Sequence, residues 1–254
     1  NAGFAEVVSD IISDVTPYSI DTAFSRTRVD GWLPVASRRD NLQQLLFAVG
    51  AIVRKQPDGS LFFTPLNSDS PAKIGENRLF LGGNVEYPSK ITSVSVTEHA
   101  FQATSADTVV TLYEGDVQSE SIVTPNGKPV LGMLVTFQEP VHSLSAGNVT
   151  ILESGVNYAV LEGGGTCKLT GKSYTHTTQV ITRFVSPTTR AGLIDQKNNE
   201  ASVKNATLVS FLNGYSVAER VLNYYSSVRN ISDKMVMGAE RPGDFVELKD
   251  PFGD

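Results

Sequence analysis

Three histidines, one cysteine and a scatter of serines and carboxylates are the groups with which this chain of 254 residues could do chemistry. His99, His142 and His176 lie far apart and fall on different expected elements. A zinc site declares itself by close pairs of His or Cys, and none is present, so no metal is expected. Ser, His and Asp all occur, but no Gly-x-Ser-x-Gly elbow accompanies them. A glycosidase needs two carboxylates at a set spatial separation, and no pair stands out. Gly163-Gly164-Gly165 is followed by no helical pattern, so it reads as a turn rather than a phosphate cradle. Cys167 reads as a small buried hydrophobe, and a lone cysteine leaves no internal disulfide to form. That fits assembly in a reducing compartment. The expectation is no catalytic residue, no cofactor and no metal. The residues left with a binding role are Tyr113, Phe137 and Tyr158, whose rings could stack on sugars. At alternating strand positions such rings more often belong to a core. Asn148, Asn205 and Asn230 match the glycan acceptor pattern, and without a signal peptide these read as chance matches.

Net charge is −6 and the isoelectric point about 5.2. A protein that neutralises nucleic-acid phosphates carries a basic stripe, and none is visible, so sequence-specific nucleic-acid binding is not expected. No run reaches the roughly 18 apolar residues of a membrane span. The chain starts at Asn1 and stops within DPFGD. Both ends look cut, and a piece of a longer polypeptide is expected.

The elements that would position any site centre on 37–66. Ser37 and Asp40 have the spacing of a capping box. Leu42, Leu45, Leu46 and Val49 follow as one helical stripe, and Gly50 stands where a helix wants a left-handed residue. Ala51–Arg54 and Leu61–Thr64 read as strands joined at Pro57-Asp58-Gly59. Before them, Phe4, Val7, Val8, Ile11 and Ile12 predict a helix over 1–15, stopped by Pro17. Trp32 reads as a staple on the capped helix. After the hairpin come a loop over 67–84, with a possible strand Leu79-Phe80-Leu81, and the alternating strand Ile91–Glu98. From 101 to 170 short β-type runs recur: Thr108–Tyr113, Ser121–Thr124, Val130–Phe137, Asn148–Leu152, Tyr158–Leu161 and Cys167–Thr170. Turn signals separate them at Glu114-Gly115-Asp116, Pro125-Asn126-Gly127 and the triple glycine, as in a small sandwich. Tyr174–Val185 reads as a long strand and Pro187–Glu200 as a polar loop. A helix capped by Asn205 is then expected from Leu208 to Tyr225, with closing strands at Asp233–Met237 and Phe245–Leu248 joined by the turn Glu240–Asp244. The layout is α+β: a discontinuous domain, 1–98 and 171–254, interrupted by an inserted all-β, sandwich-like domain, 99–170.

RRDNLQQLLFAVGAIV (38–53) with DGSLFFTPL (58–66), ITSVSVTEHAF (91–101), LTGKSYTHTT (169–178), NATLVSFLNGYSVAERVLNYYSSV (205–228) and ERPGDFVEL (240–248) together resemble, in the family's order, tail-hub or baseplate proteins of bacteriophages and prophages of Gram-positive hosts. These are related to the hub of contractile tails and to the N-terminal part of tail-associated lysins. The resemblance implies a tube-like fold for the discontinuous domain, a half-barrel packed on a helix, whose copies close into a ring. It implies a structural role, not an enzymatic one, since the hydrolase of tail-associated lysins lies elsewhere in the polypeptide. Implied partners are copies of the chain itself, as trimer or hexamer, and other tail proteins, in a virion tail assembled in the cytoplasm of the bacterial host. The alternative is a carbohydrate-binding or adhesive module reading a host-surface glycan through the insert.

Overall fold

A computed structural model describes residues 1–66, 71–80, 82–86, 91–104, 107–185, 199–225, 230–240 and 244–248. The architecture is α+β and mostly strand; among the described residues no sheet closes into a barrel. The chain separates into two compact units. The first comprises residues 1–29, 42–98 and 180–254, the second 30–41 and 99–179.

The first unit starts with strand β1 (Ala2–Gly3), paired antiparallel with β3 (Arg28–Val29), and helix α1 (Phe4–Ile12). The Glu6 carboxylate accepts the Gly3 N–H at 2.7 Å, answering one orphan donor of the helix start. Phe4, Val8, Ile11 and Ile12 are the buried face of α1, which stops short of the expected Val15. Strand β2 (Tyr18–Ile20) runs parallel to β5 (Leu61–Pro65), which pairs antiparallel with β4 (Ala51–Lys55). The rings of Phe4 and Tyr18 both meet fully buried Phe63 edge to face, at 6.2 and 6.1 Å. Helix α2 (Arg38–Val49) starts as its cap predicts. Ser37 Oγ accepts the Asp40 N–H at 3.1 Å and donates to the Asp40 carboxylate at 2.7 Å. Its apolar stripe is only partly covered, with Leu45 and Ala48 buried and Leu42, Leu46 and Val49 half-exposed. Gly50 has φ +72 and Gly59 φ +88, the left-handed positions that the helix stop and the hairpin turn require.

The rest of the first unit is built from opposite ends of the sequence. Strand β8 (Ser93–Gln102) carries β16 (Thr175–Phe184) on one side and β17 (Glu200–Val203), parallel, on the other; residues 99–102 and 175–179 of these strands count with the second unit. Strand β18 (Asn230–Ser232) pairs antiparallel with β7 (Asn84–Glu86), and β19 (Val246–Leu248) parallel with β6 (Ala72–Ile74). The two short strands expected at Leu79–Leu81 and Asp233–Met237 reduce to a single bridge, Leu79 to Met235, with Leu81 outside the described residues. Most of 187–200 and of the 240–244 turn also lies outside them. The long helix expected from Leu208 is shorter: α3 spans Gly214–Tyr225. Its would-be first turns are held otherwise. Asn213 Oδ1 accepts the Ser210 N–H at 2.9 Å, and Ser210 Oγ accepts the Leu212 N–H at 3.3 Å, local bonds that compete with helix. Val217, Ala218 and Leu222 of α3 pack with Ile91, Val94 and Val96.

The second unit holds two sheets. One has the order β10 (Glu120–Val123), β11 (Pro129–Thr136), β14 (Tyr158–Glu162), β13 (Thr150–Gly155). The other has the order β12 (Val141–Ser145), β15 (Gly164–Ser173), β9 (Val109–Gln118). Val135, Ala159 and Leu161 of the first sheet and Val117, Cys167 and Leu169 of the second share one core. Strand β12 was not anticipated. Two expected turns are strand instead. Gly115 lies inside β9, because Tyr113 folds over it with its hydroxyl 2.9 Å from where a Cβ would stand. Gly164 and Gly165 open β15. Trp32, expected as a helix staple, meets Phe101 edge to face at 6.4 Å. Residues 30–41 are tied into this unit by the Val35 N–H, which donates to Asn157 Oδ1 at 3.1 Å.

Candidate functional site

In the first unit, α2 and α3 meet beside strand β17 and leave an open groove of about 580 Å³. Phe47, Leu66, Val203, Val221, Tyr224 and Tyr225 are among its lining residues. Tyr224 is 75% exposed and Phe47 40%, unusual for rings of that size. The groove's position follows from how α2 ends. Its last carbonyls lack partners within the helix, and Arg220 of α3 supplies them, donating to Phe47 O at 2.7 Å and Ala48 O at 3.1 Å. A cation at a helix C-terminus also meets the negative end of the macrodipole. Asn213 Nδ2 donates to the same Ala48 carbonyl at 3.2 Å. Gly50 is needed here twice, since a Cβ would stand 2.8 Å from the guanidinium. Burial pushes the Arg220 guanidinium below its ordinary value.

On the inner face of β8, Glu98 follows Val94 and Val96 in alternation and is 8% exposed. Its carboxylate occupies the space that a side chain at Gly214 would fill. Burial pushes this carboxyl above the usual carboxylate range.

The second unit brings together polar groups that the sequence leaves apart. His99 Nδ1 and His176 Nε2 are 3.0 Å apart, with ring centroids at 5.2 Å and planes at 15°. That centroid distance fits two imidazoles end to end through one N–H···N bond. Phe101 stacks on the face of His176 at 4.2 Å. Such a pair holds one proton between its facing nitrogens; with both protonated, two N–H donors would collide. Burial, and then the charge of His99, push His176 below the ordinary imidazole value against the pull of Glu139. The third histidine stands in a separate cluster. His142 Nε2 is 2.8 Å from Asp107 Oδ2 and its Nδ1 is 3.0 Å from Ser143 Oγ. Among the described residues no three His, Cys, Asp or Glu groups converge as a metal site.

The three rings named for ligand contact sit against the core. Tyr113 and Phe137 pack on the shared core of the two sheets. Tyr158 is 8% exposed and donates to Glu153 Oε1 at 2.8 Å. Burial and that carboxylate push its hydroxyl up to about 12. The Cys167 thiol is buried, donates to Ala146 O at 3.2 Å, and is pushed up by burial. No signal in the sequence joins His99 to His176 or Asp107 to His142. Only the pairing of β8 with β16, and the sheet order β12, β15, β9, which brings His142 to Asp107 just before β9, does so. No family model, curated protein or solved structure matches the chain.

Proposed function

We propose that this chain is a structural part of a phage or prophage tail, a hub or baseplate protein that works by assembling with copies of itself into a ring. One observation supports it above the others. Segments from distant parts of the sequence pair within one compact unit, through β17 on β8, β18 on β7 and β19 on β6, which supports the discontinuous domain that the tail resemblance implies. In the proposed tube-like arrangement this body lends its uncovered surfaces to neighbouring copies. Among the described residues, strands β4 and β17 are sheet edges, and edges invite pairing with another chain. The apolar groove lies beside β17, and a cyclic interface of this kind closes without leftover faces. The acidic balance of the chain suits a ring that passes DNA without holding it.

Light scattering across a concentration series tests this. A trimeric or hexameric multiple of the 27.4 kDa chain is expected at high concentration, falling to the single chain for Tyr224→Glu. A single-chain mass at every concentration, alone and with co-expressed tail components, contradicts it.

A further inference from the structure

We propose that Ser143 is a nucleophile for acyl transfer from small carboxylic esters, with His142 as its base and Asp107 holding the imidazole. The site lies in the second unit and does not rest on the tail reading.

Asp107 sets the arrangement. Its side chain is 1% exposed. Its two oxygens accept from the Thr104 N–H, Thr104 Oγ1 at 2.7 Å, Thr175 Oγ1 at 2.9 Å and His142 Nε2 at 2.8 Å. The bonds from Thr104, then those from His142 and Thr175, hold the carboxyl far below the usual range. An ionised carboxylate only accepts, so the proton on that side belongs to His142 Nε2. In the neutral imidazole Nδ1 then carries the lone pair, and Ser143 Oγ lies 3.0 Å from it. This is the nucleophile, base and orienting-acid order of serine hydrolases with the two ring nitrogens exchanged. The Tyr174 ring, 4.9 Å from the imidazole, helps fix its plane. Exposure rises outward, from buried Asp107 to 18% for the His142 side chain to exposed Ser143, as a site open to substrate needs.

The backbone points the same way. Ser143 has φ +52 and is the one non-glycine residue with positive φ among the described residues. Residues held there carry strain that clusters at functional sites. It falls in a break of the β12–β15 register between His142 and Ser145. Bulges of this kind re-aim side chains and take backbone N–H groups off the ladder, where they can meet an oxyanion.

In the proposed step, Ser143 Oγ bonds to the ester carbonyl carbon as its proton passes to Nδ1 and the C=O pair moves onto oxygen. Collapse breaks the bond to the alkoxy group, which leaves as alcohol with the proton from Nδ1. Water then attacks the acyl-serine, gives its proton to Nδ1, and the acid departs as Oγ regains that proton.

A fluorophosphonate probe on the intact chain, read by peptide mass spectrometry, tests the assignment together with p-nitrophenyl acetate hydrolysis. Phosphonylation at Ser143 is expected, and it is lost in Ser143→Ala along with ester turnover. His142→Gln is expected to slow labelling on the order of a hundredfold, the usual worth of a positioned base. Ser143→Gly separates function from folding: it should raise Tm, because glycine accepts positive φ, while abolishing the label. No label at Ser143, equal labelling in His142→Gln, or unchanged turnover in Ser143→Ala overturns the proposal.

Discussion

The two units solve the same packing problem in opposite ways. The second builds its sheets mainly from strands near in sequence, and seals one core between them. The first is stitched from segments as far apart as Arg78 and Val236, 158 residues, and finishes with an uncovered apolar groove. Among the described residues, the exposed Phe and Tyr rings, among them Phe47, Phe80, Phe211, Tyr224 and Phe245, all lie in the first unit and none in the second. An unit that buries its own aromatics is complete alone. One that presents them beside sheet edges fits the proposed ring, in which neighbouring copies would cover it.

The sharpest way to break this contrast is to damage each core separately. Phe63→Ala removes a fully buried ring from the first unit and should cost about 3–5 kcal/mol. Leu161→Ala in the second should cost about 2–5 kcal/mol. Hydrogen exchange read peptide by peptide is expected to show each loss concentrated in its own unit. Equal loosening of both by either substitution would erase the distinction. A smaller effect is expected at the stitch itself. Arg220→Met keeps the stem but abandons the Phe47 and Ala48 carbonyls, and should cost about 2 kcal/mol by denaturant melting.

The sequence announces local structure well where the cause is local. The Ser37–Asp40 cap, the stop at Gly50 and the Gly59 turn were all legible, since each needs only a few neighbouring residues. The end of α1 was overrun by three residues. Strand β12 and the start of α3 were not legible. In the second case Ser210 and Asn213 spend their side chains on nearby backbone N–H groups, so an apolar period that looks helical from Leu208 becomes helix only at Gly214. Gly115 misleads as a turn because its reason is the Tyr113 ring folded across it. The polar clusters were hidden for a different cause: His99 meets His176 across 77 residues, a separation that no spacing rule reads.

Titration offers two further tests, weaker than the core substitutions. Glu98 has its carboxyl raised in the folded protein. The folded state then holds the proton longer than the unfolded chain, so stability falls as pH rises through that window. Glu98→Gln is expected to stabilise the first unit at neutral pH, with the gain vanishing in acid. His176 is lowered, and the sign is opposite for its unit. The unfolded chain takes the proton first, near the ordinary value of about 6.5, so stability is lost as pH falls below it. His176→Phe should flatten that dependence in thermal melts across pH, leaving the first unit unchanged.

The stitched first unit is the claim on which the tail reading stands, and a cross-link tests it most directly. Val85 and Ile231 are paired residues on antiparallel β7 and β18, at a separation suited to a disulfide. In Val85→Cys/Ile231→Cys, mild oxidation followed by non-reducing electrophoresis and peptide mapping is expected to give an intrachain 85–231 bond in nearly every molecule. No bond, or bonds between chains only, would contradict a single body made from the two ends of the sequence.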